Sequence, residues 1–242
     1  MRRVHRVELP ARVSAYLVRK QLATAETANV ENTWRSARQT EAMGAVVRTL
    51  QVMAGARERF MYCVDSHGSD IDHFWPKGTY PGRAFEWPNL LLCCTECGRF
   101  KGIRFPLSAN GGPMLVDPSA EDPWESLDFD PDTGNFTPRY DATSGSPSAR
   151  GEQTVHILQL DRREGMSEGY RRTYLRLANC VREALLTAGP IDAAQLTGNL
   201  RQADDHGLMG WCFGPVGARI QPFDELRRRY LPVWTACAAA AR

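Results

Sequence analysis

The sequence predicts a protein of the α+β class that is mainly helical, with one small mixed segment at residues 60–111. Three observations support this prediction. Apolar residues recur at roughly helical spacing before residue 59 and after residue 150. Aspartate, histidine and cysteine cluster between these parts, in 60–111. Asp-Pro and glycine turns then fill 112–150, which we expect to be an ordered, acidic, turn-rich segment with short strands.

The N-terminal part predicts two helices. The first covers 11–28 and follows Pro10. The second covers 33–58, with Gly44 as a weak point. Its approximate apolar stripe consists of Trp34, Ala37, Val46, Leu50 and Met53. Further along, Asn110-Gly111-Gly112 predicts the turn of a hairpin between two short apolar runs.

The C-terminal part predicts further helices. Their ranges are 154–160, 167–188, 192–206 and 223–241. The apolar residues of the longest one lie near a spacing of 3.6, and Gly189-Pro190 ends it. We therefore divide the chain into 1–59, 60–111, 112–150 and 151–242, and we expect these segments to form a single compact unit.

Composition excludes several classes of protein. Charged residues make up 24% of the 242 residues, the net charge is +2, and no run of eighteen apolar residues exists. The basic N-terminus is interrupted by Glu8 and Pro10, where a signal peptide needs an apolar core. We therefore expect a cytoplasmic protein without a membrane span. Seven cysteines, an odd number, favour a metal site or free thiols over a disulfide framework.

Charge is spread unevenly along the chain. Residues 1–59 carry eleven Arg and Lys against five Asp and Glu, whereas 112–141 carry one against eight. This polarity could orient a polyanion such as nucleic acid along the basic end. An ordinary solvated surface explains the same distribution equally well.

The strongest chemical signature lies in 60–111. Asp72-His73 is followed sixteen residues later by Asn89. Cys94-x-x-Cys97 comes next, with Cys63 upstream. Taken alone, the acid–histidine pair would be a helix cap beside a core histidine, but its combination with the asparagine and the cysteine pair favours a functional site.

This combination resembles the ββα-metal finger of HNH endonucleases. The likeness extends to bacterial HNH proteins of the Septu-defence and retron-associated type. It is carried by segments of 71–77, 80–81, 84–89, 105–106, 115–118, 122–124 and 158–162. The resemblance implies a nuclease that acts on nucleic acid, commonly beside an ATPase partner that regulates it.

The resemblance also implies roles for individual residues. Asp72 would bind a divalent cation, Mg²⁺ or Mn²⁺, and His73 would act as the general base. Asp70 lies two residues before Asp72, on the same face of a strand, and would be a second ligand or a supporting carboxylate. Asn89 would brace the loop that holds the histidine, without taking part in bond cleavage. Four basic residues could touch phosphates: Lys77, Arg99, Lys101 and Arg104.

Two departures from the family pattern limit these expectations. The family places two Cys-x-x-Cys knuckles around a structural zinc ion. Here the first knuckle begins with Phe60, so only Cys63, Cys94 and Cys97 remain. His67 would be the better fourth ligand, and Cys93 the more strained one. Alternatively, Phe60 replaces the zinc with apolar packing.

The second departure is Gly98, which stands where the family has a helix asparagine that reaches the catalytic metal. Glycine has no side chain with which to coordinate a cation. Three functions therefore remain open. The chain is a metal-dependent HNH-type nuclease, or an HNH-derived protein that kept the fold as a binding or partner subunit, or an enzyme repurposed for a small molecule in a biosynthetic pathway.

Overall fold

The computed structural model describes residues 1–27, 29–55, 59–64 and 70–241. Helices account for about 52% of the chain, accompanied by small antiparallel strand pairs, and this confirms the predicted α+β class. The chain folds into two compact units, whereas the sequence suggested a single one. The first unit is Val4–Asp122, and the second comprises Met1–Arg3 and Pro123–Arg242. The boundary falls inside the predicted acidic segment.

The first unit begins with three helices. They are α1 (Ala11–Thr27), α2 (Val30–Ala37) and α3 (Glu41–Met53). The prediction of one continuous helix over 33–58 is wrong, because Thr40 adopts an extended conformation and starts a new helix. Its hydroxyl accepts a hydrogen bond from the amide of Met43 at 3.4 Å, which caps α3. Helix α1 packs against both α2 and α3.

A two-stranded hairpin and a short helix follow. Strand β1 (Asp70–His73) pairs antiparallel with β2 (Leu90–Cys93), so that Asp72 lies opposite Leu91. All four residues of β2 are buried, and α3 packs against this strand. Helix α4 (Thr95–Lys101) begins directly after Cys94, whose sulfur accepts the amide hydrogen of Cys97. The ββα order implied by the resemblance is therefore present in this unit.

The hairpin predicted around Asn110 is reduced to a turn. Gly111 has a φ of +78°, a conformation that favours glycine, but the flanking residues form only one bridge, between Leu107 and Pro113, in this part of the described chain.

The second unit is built around one long helix. Its strands are β3 (Leu127–Phe129), β4 (Phe136–Pro138), β5 (Tyr140–Asp141) and β6 (Ser146–Pro147). Its helices are α5 (Ala149–Leu158), α6 (Glu164–Leu186), α7 (Ala193–Ala203), α8 (Met209–Cys212), α9 (Phe223–Arg229) and α10 (Leu231–Ala240). Helix α6 packs against α7 and α9. Its core residues Tyr170 and Leu177 are fully buried.

One prediction is corrected in the second unit, and one helix there was not predicted. The predicted helix 223–241 is broken at Tyr230, because Pro232 cannot supply the amide that a continuous helix needs. Helix α8 was not predicted, since its four residues are too few to show a periodic pattern. Among the described residues, no helix has both the length and the apolar character needed to cross a bilayer.

Candidate functional site

His73 ends strand β1 and is almost completely buried in the first unit. Its ring meets the edge of Trp34, with ring centroids 4.2 Å apart. Its Nε2 lies 3.0 Å from the carbonyl oxygen of Ala84. A carbonyl oxygen only accepts hydrogen bonds, so Nε2 carries the hydrogen and Nδ1 keeps its lone pair. Burial, followed by the positive charge of Lys77, lowers the pKa of His73 to about 3, so the imidazole is neutral at pH 7.

Asp72 is held by two partners from other parts of the first unit. The Tyr62 hydroxyl donates to its Oδ2 at 3.2 Å, and the Lys101 ammonium lies 3.1 Å from the same oxygen. Burial raises the pKa of Asp72, while the Lys101 charge and the two hydrogen bonds oppose that rise. Burial and the Asp72 charge raise the pKa of Tyr62 well above its usual value, so the phenol remains a donor.

The sequence analysis expected Lys101 to contact phosphate, which would require an exposed ammonium. In the structure, the side chain of Lys101 is buried beside Asp72. Its side chain is 1% exposed, and its Nζ donates to the backbone oxygen of His73 at 2.6 Å. A buried ammonium is stable only when it is paired with an acid and hydrogen-bonded. At the end of β1, the Asp72 carboxylate provides the ion pair and the His73 backbone oxygen accepts the hydrogen bond. One lysine of α4 therefore fixes the positions of both Asp72 and His73.

Asp72 and His73 line a cavity of about 840 Å³ between α2, β1 and α4. Three acids reach the cavity, and each has a cationic partner. Asp70 pairs with Arg38 at 2.8 Å, Glu31 pairs with Lys77 at 2.9 Å, and Asp72 pairs with Lys101.

Two cations that line the cavity remain outside these ion pairs among the described residues, Arg35 and Arg99. Both are exposed, and Arg35 contacts only the neutral side chain of Asn32, at 3.4 Å. The sequence singled out Arg99 but not Arg35, because nothing in 33–58 indicated which face of the helix would meet the finger. Arg104 is outside the cavity lining, and its guanidinium bonds to the backbone oxygen of Phe100.

Asn89 lies in the turn before β2 and is buried. Its Oδ1 accepts the amide hydrogen of Trp75 at 2.7 Å. Its Nδ2 donates to the backbone oxygens of Trp75, at 3.1 Å, and Arg83, at 2.9 Å. Both hydrogens of the amide are used, so this one side chain ties together the two ends of the loop that follows His73.

We expect Asn89→Ala to lower the free energy of unfolding of the first unit by about 3 kcal/mol, because it leaves buried backbone groups without partners. Thermal unfolding followed by tryptophan fluorescence measures this loss. The exposed Asn199 of α7 has no such bonds to lose, and Asn199→Ala should change stability by less than about 0.5 kcal/mol. Equal effects of the two substitutions would contradict the bracing role.

The residues around Asp72 do not fit a divalent cation held by the protein. Mg²⁺ and Mn²⁺ prefer oxygen ligands. One oxygen of Asp72 is already engaged, Asp70 is paired with Arg38, and Gly98 offers no ligand. At 4 Å two unit charges interact with about 4 kcal/mol at an effective dielectric constant of 20, and a divalent ion beside the ammonium of Lys101 doubles that repulsion.

Three thiols form a separate cluster that could hold a metal ion. The sulfurs of Cys63, Cys94 and Cys97 are buried and lie within 4.8 Å of one another. Cys63 and Cys94 are separated by 3.8 Å, and sulfurs bound tetrahedrally to one zinc ion lie about 3.8 Å apart. Hydrogen bonds of the Cys97 thiol with Cys63 and Cys94, together with burial, raise the pKa of Cys97. The donor set and spacing fit zinc.

The fourth ligand was expected from His67 or Cys93. His67 lies outside the described residues. Cys93 turns away, because its thiol donates to the backbone oxygen of Cys94 at 3.2 Å and its sulfur lies beside Gly98. Phe60, at the start of the first knuckle, is 3% exposed and packs as an apolar core residue.

The first unit thus combines an antiparallel hairpin, a short helix, an acid–histidine pair and a three-thiol cluster. No protein-family model matches the chain, and no solved structure matches it. Among curated proteins, the chain is similar to the Septu protein PtuB of Bacillus thuringiensis, with 26% identity over 121 residues. The alignment covers 47% of this chain and 42% of PtuB. This distant similarity agrees with the Septu-type resemblance carried by the sequence.

Proposed function

We propose that the chain is an HNH-type nuclease that hydrolyses phosphodiester bonds with His73 as the general base. One observation carries this proposal. The bond from Nε2 to the Ala84 oxygen leaves Nδ1 as a proton acceptor on a residue that lines the cavity of about 840 Å³. A base must keep a lone pair within reach of the reacting water, and this tautomer provides it.

In the proposed reaction, Arg35 and Arg99 bind the phosphate, since the other cations of the cavity are paired with acids. His73 Nδ1 takes a proton from a water molecule, whose oxygen forms a bond to phosphorus. The bond from phosphorus to the leaving oxygen breaks, and that oxygen takes a proton from solvent. Asp72 and Lys101 hold the strand end, and Asn89 holds the loop that follows it.

The distant similarity to a Septu protein supports a place in a defence system. We propose nucleic acid as the substrate and a protein partner, such as an ATPase, as the regulator. The basic residues of the cavity are compatible with a polyanionic substrate.

The test is binding and nicking of plasmid DNA and of RNA by the purified chain. We expect Arg99→Gln, and separately Arg35→Gln, to weaken substrate binding about tenfold or more, because each removes a charge-assisted hydrogen bond to phosphate. Arg12→Gln is the matched control, since Arg12 is exposed on α1 and outside the cavity lining. If all three variants bind alike, the cavity is not the phosphate site.

A second candidate is a nucleic-acid-binding subunit without hydrolysis. The ion pair of Asp72 with Lys101 favours it, because it occupies the carboxylate that the family uses for its metal. Binding that depends on Arg35 and Arg99 without any nicking, alone or with the partner, would select this candidate over the nuclease.

A further inference from the structure

A buried ammonium stands beside the carboxylate of Asp72, where the sequence predicted a metal ion. The Nζ of Lys101 is 3.1 Å from Oδ2 of Asp72 and 2.6 Å from the backbone oxygen of His73. We propose that Lys101 takes the place of a divalent cation at this carboxylate, so that the site binds no Mg²⁺ or Mn²⁺. If the proposed nuclease function holds, its cleavage then needs no added divalent metal.

The burial of Lys101 makes this arrangement difficult to displace. The side chain is 1% exposed, so the ammonium cannot move into solvent to make room for another cation. Both of its oxygen partners are also fixed, one by the pairing of β1 with β2 and the other by the Tyr62 hydroxyl. A cation that displaced Lys101 would leave a buried charge without a partner, which is strongly unfavourable.

The neighbouring helix offers no compensating ligand. Gly98 lines the same cavity, and a side chain there would meet only the Cys93 sulfur, at 3.7 Å from its Cβ. Space for a ligand therefore exists at position 98, but no ligand occupies it. The Cys93 thiol is a soft donor and is committed to the Cys94 backbone oxygen, so it does not replace a hard oxygen ligand.

The charge that a metal would supply is already present in the chain. With the three acids of the cavity neutralised by Arg38, Lys77 and Lys101, the guanidinium groups of Arg35 and Arg99 give the cavity a net positive charge. Fixed cations of this kind stabilise a phosphate without an exchangeable ion. The ammonium of Lys101 therefore supplies, at Asp72, positive charge that a metal ion would otherwise bring.

The test uses Mn²⁺ as a paramagnetic probe of the full chain labelled with ¹⁵N. We expect the amide signals of Asp72 and His73 to stay sharp at millimolar Mn²⁺ in the wild type. Lys101→Met removes the charge but keeps an unbranched chain, and it should increase Mn²⁺ affinity at Asp72 about tenfold or more. Lys77→Met, at the rim of the same cavity, is the matched control and should leave these two signals sharp.

The wild-type spectrum decides the matter even if Lys101→Met does not fold. Selective broadening at Asp72 and His73 in the wild type overturns the proposal, as does nicking that appears only when Mg²⁺ is added. Sharp signals, together with nicking that is unchanged by Mg²⁺, support it. If no nicking occurs under any condition, the nuclease function fails, and the spectrum alone still tests whether Lys101 excludes the cation.

Discussion

With His73 replaced by alanine, the initial rate of phosphodiester cleavage should fall about 10²-fold, the lower end of what a positioned general base contributes, because burial lowers the pKa of His73 to about 3 and makes it a weak base. The substitution removes the proposed proton acceptor, whereas the proposed phosphate-binding residues Arg35 and Arg99 are unchanged. Substrate affinity should therefore change far less than the rate. Supercoiled plasmid nicking at saturating protein measures the rate, and a filter-binding titration measures the affinity.

Alanine at this position also opens a space beside Trp34, so a second variant separates catalysis from folding. Glutamine can still donate to the Ala84 oxygen and fills most of the volume, but its amide is not a base. His73→Gln should keep the wild-type melting temperature, and its cleavage rate should fall by the same factor as that of His73→Ala. His156→Ala, at an exposed position of α5, is the control and should cleave normally. Full cleavage activity in His73→Gln would show that the imidazole of His73 is not the general base.

The sequence located the acid–histidine pair because adjacent residues at one strand end must lie in the same neighbourhood in any fold that forms the strand. Asp72 and His73 both line one cavity for this reason. Asn89 was identified through the resemblance to HNH fingers, and the structure shows which backbone groups of the loop after β1 it contacts. These features depend on short-range geometry that spacing reveals.

The burial of Lys101 against the end of β1 could not be predicted from the sequence. A lysine at the end of a predicted helix is most often solvated, and nothing in the spacing shows that α4 turns its last residue onto β1. The same limit applies to Arg35, which reaches the cavity only because Thr40 ends the first half of the predicted helix 33–58. Both assignments depend on how helices pack, and that information is not local.

The contacts of Lys101 change the interpretation of Gly98. From the sequence, the glycine was the loss of one metal ligand from an otherwise intact site. In the folded unit, the carboxylate that should bind the metal is already neutralised, so a ligand at position 98 would have no partner on β1. A ligand introduced at position 98 should therefore not restore a metal site by itself while Lys101 stays paired with Asp72.

The largest effect on stability is expected from the thiol cluster. The purified wild type should contain about one zinc ion per chain, because three buried sulfurs within 4.8 Å of one another, one pair of them 3.8 Å apart, form most of a structural site. Cys97→Ala should abolish this zinc and lower the free energy of unfolding by about 4 kcal/mol, since metal binding is folding free energy. For a chain of this size the melting temperature should then fall by about 10 °C.

Elemental analysis and calorimetry measure the two quantities on the same samples. Cys180→Ala is the matched control, because Cys180 lies on α6 in the second unit and does not belong to the three-thiol cluster, and its loss should leave the zinc content unchanged. Zinc content separates the two interpretations of Phe60. If the wild type lacks zinc and Cys97→Ala unfolds like the control, then Phe60 has replaced the ion and the three thiols are simply core residues. Stoichiometric zinc lost only in Cys97→Ala would show that three thiolates, with a ligand outside the described residues or a water, are enough to keep the ion.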